Sequence, residues 1–118
     1  MIQEDKETLL KDLCARLPYR TMVKCNTDNR HEFDEELSEI HIMNFYQFEV
    51  KPYLRPMSSM TEEEKRNYHN YRYWIEKGDV EHCTINMMDW LNAHHFDYRG
   101  LIEKGLALEA PEGMYKTE

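Results

Sequence analysis

Apolar and polar residues alternate with two different periods in the first 50 residues. Residues 4–17 place leucines at helical spacing, which predicts an amphipathic helix that ends before Pro18. After this helix, short stretches alternate apolar and polar side chains, which is typical of half-buried strands. The predicted strands are 21–25, 31–37 and 39–46, with a turn at 26–29. We therefore expect residues 1–50 to form a helix and a small β meander.

The second half of the chain is predicted to begin with an extended connection. Residues 51–60 contain Pro52 and Pro56, and each proline removes a backbone donor and restricts the residue before it. Residues 61–77 then start with a threonine cap, a glutamate three positions later and acids throughout the first turn. This pattern predicts a helix start. Gly78 is a natural stop for that helix.

The C-terminal region is predicted to hold one more main helix and a short tail. Residues 84–95 place Ile85, Met88 and Leu91 on one face of a helix. Asp97 is a predicted cap for a short turn that follows, and a brief apolar segment comes after that turn. We expect the tail to end in an irregular, frayed segment.

These elements together predict one α+β domain. It consists of an N-terminal helix, a small antiparallel sheet of two to three strands, two main helices and a short C-terminal tail. The domain spans 1–118, divided into 1–50, the connection 51–60, and a helical part with the tail at 61–118. A chain of 118 residues with 41% hydrophobic positions can bury one modest core.

The charge balance of the chain indicates which classes of partner it is expected to bind. The formal net charge is −8. Residues 28–49 alone carry seven acids against Arg30, a net of −6. Because an acidic chain repels phosphate backbones at long range, general nucleic-acid binding is disfavoured. A local basic face remains compatible with this balance.

Three further features of the sequence predict the cellular compartment of the protein. No apolar run reaches the length that a membrane span needs. Acids occupy the first positions of the chain, where a signal peptide would have a basic start and an apolar stretch. The three cysteines are scattered, so we expect reduced thiols and no disulfide framework. These features predict a cytoplasmic protein without a membrane segment.

A metal or acid–base site could be built from the polar residues around the third helix. The candidate ligands are His82, Cys83, Asp89, His94, His95 and Asp97. Their spacing is poor, because two ligands on one helix share a face only when they are three or four residues apart. His94 and His95 are adjacent and point about 100° apart on a helix. We therefore expect one histidine to pack near Trp90 and the other to face water, without metal or other cofactor.

Three other hypotheses are weaker. Cys83 could be a nucleophile at a helix start, but no sequence signature fixes a base beside it. The acidic run 33–39 lacks the alternating ligands and the glycine of a calcium loop, so a solvated face is expected. The aromatic residues of 68–74 could stack on bases, but Tyr68 and Tyr71 lie on one helix face, which favours a core role.

Two long motifs carry a family resemblance. KPYLRPMSSMTEEEK (51–65) and DWLNAHHFDYRGLIEKGLALEAPEGMY (89–115) resemble a family of small uncharacterised proteins from gut Bacteroidetes genomes and their prophages or other mobile elements. The likeness is strong over the C-terminal half and loose over 20–50. It implies a bacterial or phage protein, and it brings no activity, cofactor or catalytic residue.

We therefore predict a non-catalytic interaction or accessory protein of mobile-element origin, and a protein partner is favoured over nucleic acid. In a variant of this prediction, the chain is an adaptor that contacts a nucleoprotein complex through its local basic and aromatic residues. The alternative is a small metal-binding protein or enzyme that uses His94, His95 and Asp97. The two predictions differ in what the fold must supply: convergent polar groups in a pocket for an enzyme, or an exposed patch for an interaction protein. The predicted recognition surface consists of His94, His95, Asp97, Tyr98, Arg99, Tyr53 and Arg55.

Overall fold

The structure is a computed structural model that describes residues 2–28 and 31–115. Within these residues, four α-helices and four β-strands give the predicted α+β class. The helices are α1 (Gln3–Arg16), α2 (Glu39–Met43), α3 (Glu62–Glu76) and α4 (Val80–Ala93). The strands are β1 (Met22–Asp28), β2 (His31–Glu36), β3 (Glu49–Leu54) and β4 (Leu108–Glu109). Short 3-10 turns cover Leu17–Tyr19 and Met57–Ser59.

The strands form one mixed sheet in the order β2-β1-β3-β4. Strand β1 is antiparallel to both β2 and β3, and Cys25 lies opposite Phe33 on one side and Val50 on the other. The short strand β4 runs parallel to β3, opposite Tyr53 and Leu54. The prediction of two to three antiparallel strands was therefore too low, because the tail returns to the sheet edge and pairs there.

Residues 39–46 form helix α2 and turns, where the alternating pattern predicts a strand. A strand would place Ile40 and Ile42 on the buried face and His41 outside. Instead, His41 is buried and Ile40 is exposed. The backbone N–H of Ser38 donates to His41 Nδ1 over 2.9 Å, so this histidine satisfies a donor at the helix start. This local hydrogen bond favours the helix over the strand that the alternating pattern predicts.

The predicted connection 51–60 is wrong in its first half, where the chain forms β3. Val50, Pro52 and Leu54 are buried on its inner face. Strand β4 pairs with Tyr53 and Leu54 only, so Pro52 has no partner residue on that side of β3. A proline, which cannot donate a backbone hydrogen bond, is therefore compatible with this position. The second half of 51–60 contains the 3-10 turn Met57–Ser59, which leads into α3.

The buried apolar residues of the described ranges form two hydrophobic cores. In the larger core, α1 packs on the inner face of the sheet. Its buried members are Leu9, Leu13, Val23, Cys25, Leu37, Phe45, Val50, Leu54, Leu101, Leu106 and Ala107. The smaller core joins the base of the α3–α4 hairpin to the rest of the chain. Its buried members are Met60, Leu91 and Phe96.

The α3–α4 hairpin projects from the sheet. The Cα radius of gyration is 15.2 Å, against about 13.5 Å for a compact domain of this length. Glu64, near the base, is the buried residue of α3. Gly78 has a φ of 110° and follows the end of α3, as the sequence predicts. None of the helices in the described ranges is both long and apolar enough to cross a bilayer.

Helix α4 differs from its prediction in two ways. It begins at Val80 and not at Thr84, because α3 and α4 are joined by a very short turn. Ile85 was expected on the buried face, but its side chain is exposed. The helix packs instead through Cys83 and Leu91, with Met87 between them, and this spacing places Ile85 on the opposite side.

Candidate functional site

The two adjacent histidines at the end of α4 point to different partners. His95 has a left-handed backbone, with a φ of 63°. The N–H of Phe96 donates to the carbonyl of Leu91 over 3.0 Å, and the N–H of His95 donates to that of Asn92 over 3.1 Å. This is a Schellman ending, in which the left-handed position is usually a glycine. The reversal of the chain at His95 separates its imidazole from that of His94.

His95 is buried and held as a neutral ring. Its Nδ1 lies 3.1 Å from Thr21 Oγ1, and the ring stacks on Tyr115 with centroids 3.7 Å apart. Burial lowers the pKa of His95 to about 4, and the nearby charge of Arg16 acts in the same direction. The imidazole is therefore uncharged at neutral pH. A left-handed conformation at a residue other than glycine persists only where surrounding contacts fix it, and these contacts do so.

Tyr115 fills a gap in the sheet. The paired register of β1 and β3 ends at Val23 and Pro52. Beyond that pair, the N–H of Met22 donates to Tyr115 Oη over 2.8 Å, and Tyr115 Oη donates to the carbonyl of Tyr53 over 2.7 Å. The hydroxyl thus replaces a missing ladder bond between the two strands. Burial raises the pKa of Tyr115 to about 12, so the hydroxyl remains a donor.

A buried ion pair lies between α1 and the end of α4. Arg16 and Asp12 are fully buried, and their Nε and Oδ2 atoms are 2.8 Å apart. Arg16 also donates to the carbonyl of Phe96 over 2.7 Å. Arg99 adds a second donor to Asp12 at 3.1 Å, and both guanidinium groups lie 5.1 Å from the centre of the Tyr98 ring. The Nη1 atom of Arg16 has no hydrogen-bond partner among the described residues.

A second polar group fixes the start of α3. Arg55 donates two hydrogen bonds to Glu64, at 2.8 and 2.7 Å, and its guanidinium lies 4.3 Å from the centre of the Phe96 ring. The hydrogen bonds from Arg55 lower the pKa of Glu64 to about 2, so this pair is ionised at neutral pH. His94 Nδ1 lies 3.4 Å from Glu64, and its ring packs 4.8 Å from Trp90.

An open cavity of about 420 Å³ lies between these two polar groups. Its lining residues are Tyr19, Arg20, Arg55, Ala93, His94, His95, Met114 and Tyr115. This set contains no serine, cysteine or carboxylate. The charge of Arg55 is balanced by Glu64, and Arg20 pairs with Glu36 at 2.8 Å. The cavity therefore offers a polar rim, and it lacks a nucleophile beside a base.

The predicted recognition residues are only partly brought together. Arg55, His94 and His95 line the cavity. Asp97 is buried and accepts the N–H groups of residues 101 and 102, at 2.8 and 3.0 Å, so it caps the turn that the sequence predicts there. Tyr53 is buried and donates to Asp34 over 2.8 Å on the other face of the sheet. Tyr98 and Arg99 cover the buried ion pair at Asp12.

Metal-binding groups converge elsewhere. Within the described residues, two sets of potential ligands come together: Cys25 with Glu35 and His41, and Asp79 with His82 and Cys83. Neither set contains His94, His95 or Asp97. Sequence reasoning missed the first set because its members lie on different elements. To predict this set, one would need to know the register between β1 and β2 and that His41 of α2 points into the core.

The thiol of Cys83 does not have the character of an activated nucleophile. It lies in the first turn of α4 and donates to Asp79 over 3.4 Å. Burial raises the pKa of Cys83, and the hydrogen bond to the carboxylate of Asp79 acts in the same direction. A reactive cysteine needs the opposite shift, because the thiolate is the nucleophile. The surroundings of Cys83 therefore favour the thiol.

The free end of the hairpin exposes large apolar side chains. We call residues 73–85 the hairpin tip. Its exposed apolar side chains are Tyr73 (50% exposed), Trp74 (50%), Val80 (55%) and Ile85 (58%). The rings of Tyr73 and Trp74 meet edge to face, with centroids 5.4 Å apart, which is a favoured geometry for an aromatic pair. Comparison of the chain with protein-family models, curated proteins and solved structures gave no match.

Proposed function

We propose that this chain is a non-catalytic interaction protein that binds a protein partner through the hairpin tip. The observation that carries the proposal is that four large apolar residues within the hairpin tip are each half or more exposed. Exposed apolar groups of this size are typical of interaction sites, and Trp and Tyr are the residues that most often dominate binding energy.

The charges around the tip indicate the chemistry of the partner. Glu76, Asp79 and Glu81 are all exposed there. The one lysine of the tip, Lys77, places its Nζ 5.4 Å from the centre of the Tyr73 ring. The tip therefore combines exposed apolar side chains with exposed acids, in a chain of net charge −8. We infer a partner with an apolar pocket bordered by lysine or arginine, since complementary charges steer association.

The polar residues at the hairpin base support this proposal in a different way. Arg55, directly after β3, donates to Glu64 at the start of α3, and Arg16 of α1 donates to the carbonyl of Phe96 just after α4. These bonds tie both ends of the hairpin to the rest of the fold. A projecting element binds well only when its base is fixed, because ordering a mobile element on binding costs free energy. The proposal therefore assigns these residues to the orientation of the tip.

A second recognition surface has one observation in its favour. His94 and Arg55, both predicted from the sequence to face a partner, line the open cavity at the hairpin base. A partner held at the tip could extend into this cavity. From the family resemblance, the proposal also places the complex in the cytoplasm of a bacterium that carries a prophage or another mobile element.

The test is affinity purification from the native host during prophage induction. The baits are tagged wild type, a Trp74→Ala/Ile85→Ala variant, and the control Met43→Ala, which removes an exposed apolar side chain far from the hairpin. Captured proteins are then purified, and their affinity for each bait is measured at low and high salt. We expect the tip variant to lose at least about tenfold in affinity, or 1.4 kcal/mol.

The wild type and the Met43→Ala control should bind alike, and salt should weaken both because the tip is acidic. Circular dichroism of the tip variant should match wild type, since both changed residues are exposed. Equal affinity of all three baits for the purified partner would contradict the proposal. A separate His94→Ala bait tests the cavity, and a loss of affinity in that bait alone would move the surface there.

A further inference from the structure

Three side chains with metal-binding chemistry meet at the edge of the larger core. Cys25 lies on β1, Glu35 on β2 and His41 on α2. Their sulfur, oxygen and nitrogen atoms all lie within 4.8 Å of one another. Cys25 and His41 are almost completely buried, with 1% and 2% of their surface exposed, while Glu35 is partly open to solvent. The group is therefore enclosed on the protein side and accessible from one side.

The fold explains why these residues meet. Glu35 lies opposite Val23, and Cys25 is two residues further along β1, so Cys25 and Glu35 are diagonal neighbours on the inner face of the sheet. Helix α2 follows β2 directly and covers this corner. The bond from Ser38 N–H to His41 Nδ1 turns the imidazole inward, with Nε2 towards the Glu35 carboxylate.

We propose that Cys25 Sγ, Glu35 and His41 Nε2 bind one Zn²⁺ ion, with water in the fourth position. A thiolate, an imidazole and a carboxylate are the ligands that zinc uses in proteins. At the usual bond lengths, tetrahedral zinc places its ligand atoms roughly 3.3 to 3.8 Å apart. The three ligand atoms lie within 4.8 Å of one another, and His41 Nε2 and Glu35, which are in direct hydrogen-bond contact, must separate to admit the ion.

The charge and proton balance also favours the site. A zinc ion with one thiolate and one carboxylate has no net charge, which suits a corner where two of the three ligands are buried. Binding releases the thiol proton of Cys25 to solvent. The proton of His41 moves from Nε2 to Nδ1, where Ser38 Oγ, 3.3 Å away, can accept it. The displaced N–H of Ser38 is at an exposed residue, so water can replace its lost acceptor.

The experiment titrates metal-free protein with Co²⁺ and then displaces the cobalt with Zn²⁺. We expect one cobalt per chain, with the absorption of a thiolate-to-cobalt charge transfer. Cys25→Ser should abolish that absorption. Glu35→Gln should keep it but weaken Zn²⁺ binding by about tenfold or more, since even outer-shell partners of a metal contribute that much. Cys83→Ser is the matched control, because Cys83 belongs to the other ligand group.

Two results of the cobalt titration would overturn the proposal. One is cobalt binding that is the same in wild type and in Cys25→Ser, or absent in both. The other is a charge-transfer absorption that disappears in Cys83→Ser and persists in Cys25→Ser, which would place the metal at the hairpin. If Cys25→Ser does not fold, Glu35→Gln decides the question, because Glu35 is partly exposed and its replacement is nearly isosteric. An unchanged Zn²⁺ affinity in that variant would also reject the site.

Discussion

Replacing Tyr115 by phenylalanine tests whether one hydroxyl holds two strands together. Tyr115→Phe keeps the ring that stacks on His95 and removes only Oη, which bonds to Met22 N and Tyr53 O at 2.8 and 2.7 Å. Each buried backbone group that is left without a partner costs about 1–3 kcal/mol. Tyr115 also lines the open cavity, so water can partly replace the hydroxyl. We therefore expect a loss of about 1.5–3 kcal/mol in the free energy of unfolding.

The assay is equilibrium urea unfolding of wild type, Tyr115→Phe and Tyr46→Phe. Tyr46 is 66% exposed, so its variant should stay within about 0.5 kcal/mol of wild type. The slope with urea should be the same in all three, because the surface exposed on unfolding does not change. If Tyr115→Phe were as stable as the Tyr46 control, the hydroxyl could not be the bridge between β1 and β3.

Three further predictions concern the polar residues near the hairpin base. Because the pKa of His95 falls from 6.5 to about 4 on folding, wild-type stability should drop as pH falls from about 6.5 to about 4. His95→Asn, which tolerates a left-handed backbone, should remove part of that drop in urea midpoints. An equal drop in both proteins would refute the assignment. Asp97→Ala should cost about 1–2 kcal/mol and speed hydrogen exchange at residues 101 and 102. Glu64→Gln should destabilise the fold at neutral pH, and its effect should shrink as pH falls from about 4.5 to about 2, where wild-type Glu64 is itself protonated. A constant effect across that range would show that the ion pair with Arg55 is not its cause.

The sequence predicts best the elements whose signals are local. Helix α1 follows from its leucine spacing, and α3 starts at the predicted cap, where Thr61 accepts from Glu64 N over 3.2 Å. The turn capped by Asp97 is also local. Helix α2 was missed because a two-residue alternation predicts a strand. The contact between Ser38 and His41 at the helix start is not visible in that pattern.

Features that depend on distant pairing could not be predicted. Strand β4 and the bridge made by Tyr115 require the tail to return to β3, and no local pattern shows this return. The cluster of Cys25, Glu35 and His41 depends on a strand register. The spacing of His94 and His95 predicts that their side chains diverge, and His94 does pack near Trp90. The prediction that the other histidine faces water is wrong, because the left-handed backbone at His95 turns its ring into a buried contact with Thr21 and Tyr115.

The central claim is that the hairpin tip is the binding surface. Its most direct test is hydrogen exchange of this chain, alone and saturated with the purified partner, followed peptide by peptide. The account predicts slower exchange in residues 73–85 of the complex, with the sheet unchanged. Slower exchange only around residues 93–95 and 114–115 would place the partner in the cavity and contradict the claim, and so would a complex whose hairpin exchanges as fast as that of the free chain.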